Sequence, residues 1–230
     1  MKFGVLVFPG SNCDHDMVYV LRDKLGHEVI ELWHKDTDLK GVDAIAIPGG
    51  FSYGDYLRSG ALARFSPIME KVTEFANYGG LVFGVCNGFQ ILCESGLLPG
   101  TLLHNDNQKF ICKNVYIKPD NTDNPMTAYL DKDKAYKIPI AHGEGRYFAD
   151  DESLKKMRMN GQILFRYTTE TGEVNSHINP NGSIENIAGV CNENKNVFGM
   201  MPHPERAADN ELGNEDGRLI LESLIKSYTK

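Results

Sequence analysis

The sequence lacks the features of membrane-spanning and nucleic-acid-binding proteins. Its 230 residues contain no apolar run of 18, so we expect no transmembrane helix. The 24 Lys and Arg residues are outnumbered by 31 Asp and Glu residues, which gives a net charge of −7. Because a negative surface repels nucleic acids and anionic membranes, we expect neither as a partner.

Paired cysteines and nucleotide-binding glycine motifs are also absent. The five cysteines include no Cys-x-x-Cys pair, so the sequence predicts free thiols, no metal site and a reducing, cytoplasmic location. Neither Gly-x-x-x-x-Gly-Lys nor Gly-x-Gly-x-x-Gly occurs. We therefore expect no nucleotide and no other cofactor on this chain.

The sequence does contain a regular alternation of apolar and amphipathic segments. With 41% hydrophobic and 24% charged residues, all 230 residues are expected to form one globular domain. Residues 2–8, 28–33 and 42–47 have the pattern of buried strands separated by helices, which predicts an α/β fold with a mostly parallel sheet. In the second half, residues 187–192 and 197–201 are expected to pair in a smaller, partly antiparallel region.

The strongest chemical signal is an apolar run that ends at Cys86 and is followed by a helical pattern. Gly84 and Gly88 flank this cysteine in the Gly-x-Cys-x-Gly form of a nucleophile elbow. The turn sets the sulfur at a helix N-terminus, which favours the thiolate, and leaves the backbone N–H of Asn87 free to bind an oxyanion. A buried structural cysteine is the alternative that the motif alone leaves open.

A glycine pair follows the predicted strand at residues 42–47. Ligand sites in open parallel sheets form beyond the carboxyl ends of the strands, so we predict that the N–H of Gly50 is the second oxyanion donor. An ordinary strand-to-helix turn is the alternative. A long amphipathic helix is predicted next, at residues 62–78.

The segment Met-Pro-His-Pro-Glu, which follows the last predicted strand, supplies a general base. His203 precedes a proline, which favours extended backbone, and residues two apart on an extended chain point to the same side. Glu205 can therefore orient the imidazole of His203. Together with Cys86, these residues make a triad in the order Cys, His, Glu.

Two other groups compete with this assignment. Cys13 lies at the turn after the first strand and is a rival nucleophile, although no glycines flank it. His142 and Glu144 lie within the sequence His-Gly-Glu-Gly-Arg and are an alternative catalytic pair. A role in positioning a ligand or contacting a partner is the other interpretation of that segment.

The segments around Cys86 and His203 resemble the class I (triad) glutamine amidotransferases. These segments are Gly-Val-Cys-Asn-Gly-Phe-Gln at residues 84–90 and Pro-His-Pro-Glu at residues 202–205. With Phe-Ser-Tyr-Gly-Asp-Tyr at residues 51–56, they are most similar to the glutaminase subunits of phosphoribosylformylglycinamidine synthases, from purine biosynthesis. The resemblance implies a flavodoxin-like sheet flanked by helices. It also implies separate partner chains, because long members of the family carry the synthetase on the same chain.

The resemblance further implies a reaction. Cys86 attacks the side-chain amide of glutamine, Asn87 and Gly50 hold the oxyanion, and a thioester forms and is hydrolysed. Gln90, one helical turn beyond the nucleophile, is a candidate for holding the amino-acid end of the substrate. Ammonia then passes to a synthetase subunit that carries ATP and Mg²⁺, with a small accessory subunit completing the complex.

Two loops are predicted to form the face that docks this synthetase. Their residues are unusually polar and aromatic for loops, and they are Tyr53, Asp55, Tyr56, Arg58, His142, Glu144 and Arg146. Two other functions remain open from the sequence. One is a different elbow-cysteine hydrolase on the same kind of fold, of the protease or deglycase type, and the other is a non-catalytic interaction subunit.

Overall fold

The computed structural model describes residues 1–229 of the chain, and this range contains eleven strands and five α-helices. The strands are β1 Lys2–Val7, β2 Glu28–Trp33, β3 Ala44–Ile47, β4 Leu81–Val85, β5 Thr101–Leu103, β6 Ile111–Pro119, β7 Tyr136–His142, β8 Arg146–Phe148, β9 Ile163–Thr168, β10 Ile187–Cys191 and β11 Val197–Met200. The α-helices are α1 Asp14–Tyr19, α2 Pro67–Asn77, α3 Asn87–Glu94, α4 Asp151–Met159 and α5 Asp216–Tyr228.

Nine of these strands form a sheet in the order β2-β1-β3-β4-β11-β10-β9-β6-β7. The pairs from β2 to β11 are all parallel. The first four strands follow the doubly wound order of flavodoxin-like folds, as predicted. β3 and β4 are buried along their whole length, which explains why they are uninterrupted apolar runs in the sequence.

The second half of the chain extends this sheet. β10 pairs antiparallel with β11, and β9, β6 and β7 continue in antiparallel register. The pairing of β10 with β11 was expected from the sequence. The partly antiparallel region adds to the edge of the parallel sheet, and β5 and β8 form a further two-stranded pair.

One helix differs from the sequence expectation. The segment predicted as one helix at residues 62–78 begins with a 3₁₀ turn at Ala63–Phe65, and α2 starts only at Pro67. Ser66 has extended backbone between them because a residue before proline avoids the helical conformation. After β1, α1 passes into π-helical backbone at Val20–Lys24. Within residues 1–229, no helix has both the length and the apolar character needed to cross a membrane.

Candidate active site

Cys86 lies in a strained turn between β4 and α3. Its backbone has φ 51° and ψ −106°, a conformation that residues with side chains rarely adopt. Space requires the flanking glycines, since a Cβ on Gly84 would lie 2.5 Å from the carbonyl carbon of Gly88. A Cβ on Gly88 would overlap the carbonyl oxygen of Ile47. The turn therefore has the shape of a nucleophile elbow.

Three neighbouring parallel strands deliver the candidate residues to one edge of the sheet. β3 ends just before Gly49, β4 just before Cys86, and β11 three residues before His203. A Cβ on Gly49 would lie 2.7 Å from Cε1 of His203 and 3.4 Å from Cβ of Cys86. The imidazole and the nucleophile therefore pack against the same stretch of backbone, where only a hydrogen fits.

His203 and Glu205 form a buried pair. Nδ1 of His203 lies 2.6 Å from Oε1 of Glu205, and each residue is 1% exposed. The predicted extended backbone is wrong beyond His203, because Pro204 begins a 3₁₀ turn that runs to Ala207. Proline suits the first position of such a turn, where no N–H is needed. The turn still brings the carboxylate to the imidazole, and the backbone N–H of His203 bonds to the carbonyl of Pro139 at 2.9 Å.

The surroundings of His203 favour its protonated form. Burial alone lowers the pKa of an imidazole, but Glu205, Cys86 and Cys13 outweigh burial and raise the pKa of His203 well above its usual value. The imidazole of His203 is therefore in its positively charged form, with a proton on both ring nitrogens, at neutral pH. A protonated imidazole beside a cysteine is the acid that a departing amine requires.

The two backbone groups predicted to bind an oxyanion belong to the residue after Cys86 and to the residue after Gly49, whose backbone packs against Cys86. Asn87 is the first residue of α3, and the first bond of that helix runs from the N–H of Gln90 to the carbonyl of Cys86 at 3.1 Å. The N–H of Asn87 therefore has no acceptor within the helix. Gly50 has φ +148°, and a Cβ there would lie 2.7 Å from the backbone nitrogen of Asn12. Their role as oxyanion donors stays a prediction.

Gln90 belongs to a buried hydrogen-bond network. Its Oε1 accepts from Nδ2 of Asn87 at 3.0 Å, and its Nε2 donates to the carbonyl of Glu144 at 2.6 Å. Oδ1 of Asn87 in turn accepts from the N–H of Ser52 at 3.1 Å. The side chain that the sequence assigns to substrate binding thus connects the elbow helix to two loops, and its contact with glutamine stays a prediction.

The loop after Gly50 is partly anchored and partly exposed. The Tyr53 hydroxyl lies 2.6 Å from Nδ1 of His34. The guanidinium of Arg58 donates two hydrogen bonds, of 2.6 and 2.7 Å, to the carboxylate of Glu94. Tyr56 is 74% exposed. The pKa of Asp55 is raised to about 6, mainly by burial and in smaller part by nearby Glu144, against a hydrogen bond from Ser59 that lowers it. Of the predicted docking residues here, Tyr56 is the most available to a partner.

His142, another residue predicted for the docking face, is buried. It is 3% exposed, and its Nδ1 lies 3.1 Å from Oδ1 of Asn105. Burial, and then the nearby charge of His203, lowers the pKa of His142 to about 4, so the ring is neutral at physiological pH. A rigid partner could not touch this side chain, which corrects its expected place on a docking face.

The alternative catalytic pair of His142 with Glu144 does not form. Oε2 of Glu144 accepts from the N–H of Ser59 at 3.1 Å, and Oε1 lies 3.4 Å from Nε2 of His104. Arg146 begins β8 and pairs with Leu103 in the two-stranded sheet. The carboxylate of Glu144 is therefore engaged by Ser59 and His104 and does not orient His142.

Cys13, the rival nucleophile of the sequence analysis, lies beside the His203–Glu205 pair. Donor atoms of Cys13, His203 and Glu205 lie within 4.8 Å of one another, and Nη2 of Arg206 lies 3.1 Å from the Cys13 sulfur. Asp16 holds the same guanidinium at 3.0 Å. The sequence indicates this position, because Cys13 follows the carboxyl end of β1, and β1 lies next to β3 in the sheet.

Comparisons with known proteins agree with this geometry. Residues 1–217 match the family model of the CobB/CobQ-like glutamine amidotransferase domain. A curated relative from Koribacter versatilis, phosphoribosylformylglycinamidine synthase subunit PurQ, is 57% identical over 230 residues, covering 100% of both chains. The subunit of the same name from Salinibacter ruber is 54% identical over 97% of this chain and 95% of its own length.

Solved structures agree as well. A chain in the structure of PurLQS from Thermotoga maritima is 43% identical, with a TM-score of 0.87 over 100% of this chain and 99% of that chain. A glutamine amidotransferase from Thermotoga maritima shares the fold alone, at 12% identity and a TM-score of 0.61 over 100% of this chain and 99% of that one. This chain therefore belongs to the class I glutamine amidotransferases, in the group of the PurQ subunits of phosphoribosylformylglycinamidine synthase.

Proposed function

We propose that this chain is the glutaminase subunit of a phosphoribosylformylglycinamidine synthase, which hydrolyses glutamine to glutamate and supplies ammonia for purine biosynthesis. The curated relatives of this name cover the whole chain. The observation that carries the chemistry is the buried contact of 2.6 Å between His203 and Glu205, on an imidazole that packs beside Cys86. This arrangement supports a cysteine nucleophile served by one oriented base.

In the first half of the reaction, the Cys86 thiolate attacks the carbon of the glutamine side-chain amide. The N–H groups of Asn87 and Gly50 stabilise the negative oxygen of the tetrahedral intermediate. His203, protonated because Glu205 and the neighbouring sulfur raise its pKa, donates its proton to the leaving nitrogen. Ammonia departs, and a glutamyl thioester remains on Cys86.

In the second half, water hydrolyses the thioester. The imidazole of His203 is now neutral and takes a proton from the attacking water. The same two N–H groups hold the second tetrahedral intermediate, which releases glutamate and restores the thiolate. Glu205 keeps the ring in the required orientation throughout, since its oxygen remains on Nδ1.

The acceptor of the ammonia is a separate synthetase chain, with a small accessory chain in the same complex. The structural relative named PurLQS supports an assembly of this kind. ATP and Mg²⁺ belong on the synthetase, because this sequence has neither type of nucleotide-binding glycine motif. Formylglycinamide ribonucleotide is converted there to the amidine.

The loop at residues 51–58 is the part of the docking face best placed for contact. Tyr56 and Leu57 are 74% and 87% exposed, and aromatic side chains are enriched at protein interfaces. Asn87 bonds directly to this loop at Ser52, so docking there acts on the residue that follows the nucleophile. A cytoplasmic setting is also part of the proposal, supported by five free cysteines.

Glutamate release with and without the synthetase, the accessory chain and their substrates tests the proposed function. We expect hydrolysis to rise when the partners are added, and a diazo-ketone analogue of glutamine to label Cys86. Cys86→Ala should abolish both signals, whereas the matched variant Cys112→Ala, at an exposed cysteine, should keep both. Undiminished glutamate release by Cys86→Ala would rule out the thioester pathway.

A further inference from the structure

Asn105, which follows β5, is a fully buried side chain that has no part in the reaction as the triad and the oxyanion donors carry it out. Its Nδ2 donates to the carbonyl of His142 at 2.9 Å, and its Oδ1 accepts from the N–H of Gly145 at 3.1 Å. Its backbone N–H donates to the carbonyl of Gly143 at 2.9 Å. One asparagine therefore holds both ends of the loop at residues 142–145.

These bonds also fix the proton on the ring of His142. Nδ2 of Asn105 lies 2.8 Å from the carbonyl of Lys109 as well, and because carbonyls only accept, this end of the amide is the donor. Oδ1 is therefore the acceptor, so Nδ1 of His142, 3.1 Å away, carries the proton. An amide adds no charge that would raise the pKa of His142 from about 4, to which burial and then His203 lower it. The ring therefore stays neutral.

The loop that Asn105 holds reaches the nucleophile and the candidate substrate-binding side chain. The sulfur of Cys86 lies 3.7 Å from the carbonyl oxygen of Ala141, just before the loop. The carbonyl of Glu144, inside the loop, accepts from Nε2 of Gln90 at 2.6 Å. Because both contacts are made by backbone carbonyls, the path of the loop decides where they lie.

The strand that leads into this loop runs along the active site. β7 is the edge strand of the sheet, and the carbonyl of Pro139 accepts from the N–H of His203 at 2.9 Å. The carbonyl of Ala141, two residues later, points to the same side of the strand and lies at the sulfur of Cys86. The next carbonyl along the chain bonds to Asn105. Asn105 therefore fixes the chain where it leaves the sheet beside the two reacting groups.

We propose that Asn105 is a positioning residue for glutamine hydrolysis. Its amide holds the loop so that the backbone carbonyls of Ala141 and Glu144 meet Cys86 and Gln90, which sets the sulfur relative to the side chain predicted to hold the substrate. The proposal rests on the proposed function, because it assigns Asn105 a part in that reaction. Asn105 acts through the loop and not on the substrate.

Two electrophiles distinguish positioning from folding. The diazo-ketone analogue of glutamine must be recognised before it labels Cys86, whereas iodoacetamide needs only a reactive sulfur. We expect Asn105→Ala to slow labelling by the analogue between about 10-fold and 100-fold, because misplacing a reacting group by about 1 Å costs up to that much. Alkylation of Cys86 by iodoacetamide, followed by mass spectrometry of its peptide, should stay near the wild-type rate.

Asn196→Ala is the matched control. Asn196 is 4% exposed, and its Nδ2 donates to the carbonyls of Ala76 and Gly80, both at 2.8 Å. It lies beside the first residues of β4 and β11, at the end of these strands away from Cys86. The variant should lose stability in urea as Asn105→Ala does, and it should keep the wild-type labelling rate with both electrophiles.

Asn105→Asp replaces Asn105→Ala if the latter does not fold. It has the same shape, but an ionised carboxylate cannot donate to the carbonyls of Lys109 and His142, so labelling by the analogue should again be slow. Equal slowing with both electrophiles, or slowing no greater than that of Asn196→Ala, would overturn the positioning role. Labelling and glutamate release by the wild-type chain test the proposed function separately. A wild type that does neither contradicts both, whereas an active wild type with unimpaired Asn105 variants contradicts this inference alone.

Discussion

The side-chain amide of Gln90 donates a hydrogen bond of 2.6 Å to the backbone carbonyl of Glu144, a residue 54 positions later. Gln90 lies one turn beyond the nucleophile on α3, and Glu144 lies in the loop between β7 and β8. The contact fixes the loop to the helix that carries the candidate oxyanion donor. It makes the geometry of the active site depend on a distant part of the chain.

Gln90→Ala should destabilise the fold as well as slow catalysis. The substitution leaves the carbonyl of Glu144 and Nδ2 of Asn87 buried without partners, at a cost of about 1–3 kcal/mol each. Urea unfolding should show this loss, and glutamate release should fall in parallel. Gln108→Ala, at an exposed glutamine, is the control and should change little. Unaltered stability of Gln90→Ala would mean that water replaces the network.

Glu205→Gln should lower kcat/KM for glutamine by about 10³-fold, because the amide no longer stabilises the protonated imidazole. The fold should survive, since the new side chain has the same shape. Steady-state assays with the partner chains measure the effect. Glu211→Gln, at an exposed acid on the next 3₁₀ turn, is the matched control. Equal rates for the two variants would remove Glu205 from the mechanism.

Gly88→Ala should destabilise the protein by about 2 kcal/mol or more, because the added methyl group overlaps the carbonyl oxygen of Ile47 and the backbone must shift. Gly143→Ala is the control, since its added Cβ meets its nearest atom at 3.8 Å. Urea unfolding of both variants gives the comparison. If both lose the same stability, the close approach at Gly88 is not what requires glycine.

Asp55→Asn should stabilise the protein at neutral pH and not at low pH. A folded-state pKa raised from 3.8 to about 6 means that the ionised carboxylate opposes folding, an effect that grows above pH 3.8 and is complete above pH 6. Partial exposure reduces the expected gain at pH 7 to about 1 kcal/mol.

Unfolding between pH 4 and pH 8 measures this pH dependence. Asn also tolerates the positive φ of 54° at this position, but that benefit does not vary with pH. Asp106→Asn, at an exposed aspartate, is the control for loss of charge alone. A pH-independent difference between Asp55→Asn and wild type would assign the gain to the backbone.

Tyr56→Ser should reduce partner-stimulated glutamate release and ammonia transfer by at least about 10-fold, the effect of losing roughly 1.4 kcal/mol of interface energy. Labelling of Cys86 in the isolated chain should stay at the wild-type level, since Tyr56 is 74% exposed. Tyr78→Ser is the matched control, because Tyr78 is 93% exposed after the end of α2. Full ammonia transfer by Tyr56→Ser would exclude this loop from the docking face.

Local sequence patterns were sufficient to predict the elbow turn, the buried strands and the pairing of His203 with Glu205. Gly84 and Gly88 predict the turn at Cys86, because only glycine fits where the backbones of the strand and the helix come close to each other. The burial of β3 and β4 follows from their uninterrupted apolar residues. The spacing of His203 and Glu205 predicts their pairing, although the 3₁₀ turn that joins them was not expected.

The amino-acid sequence by itself determined the parallel half of the sheet, the elbow and the identity of the three candidate triad residues, because each depends on neighbours within a few positions. Tertiary structure decided which distant groups surround them. The burial of His142, the closeness of Cys13 to His203, and the use of Gln90 as a brace arise only when strand ends and loops meet in space. Contacts between residues far apart in the chain leave no periodic trace in the sequence.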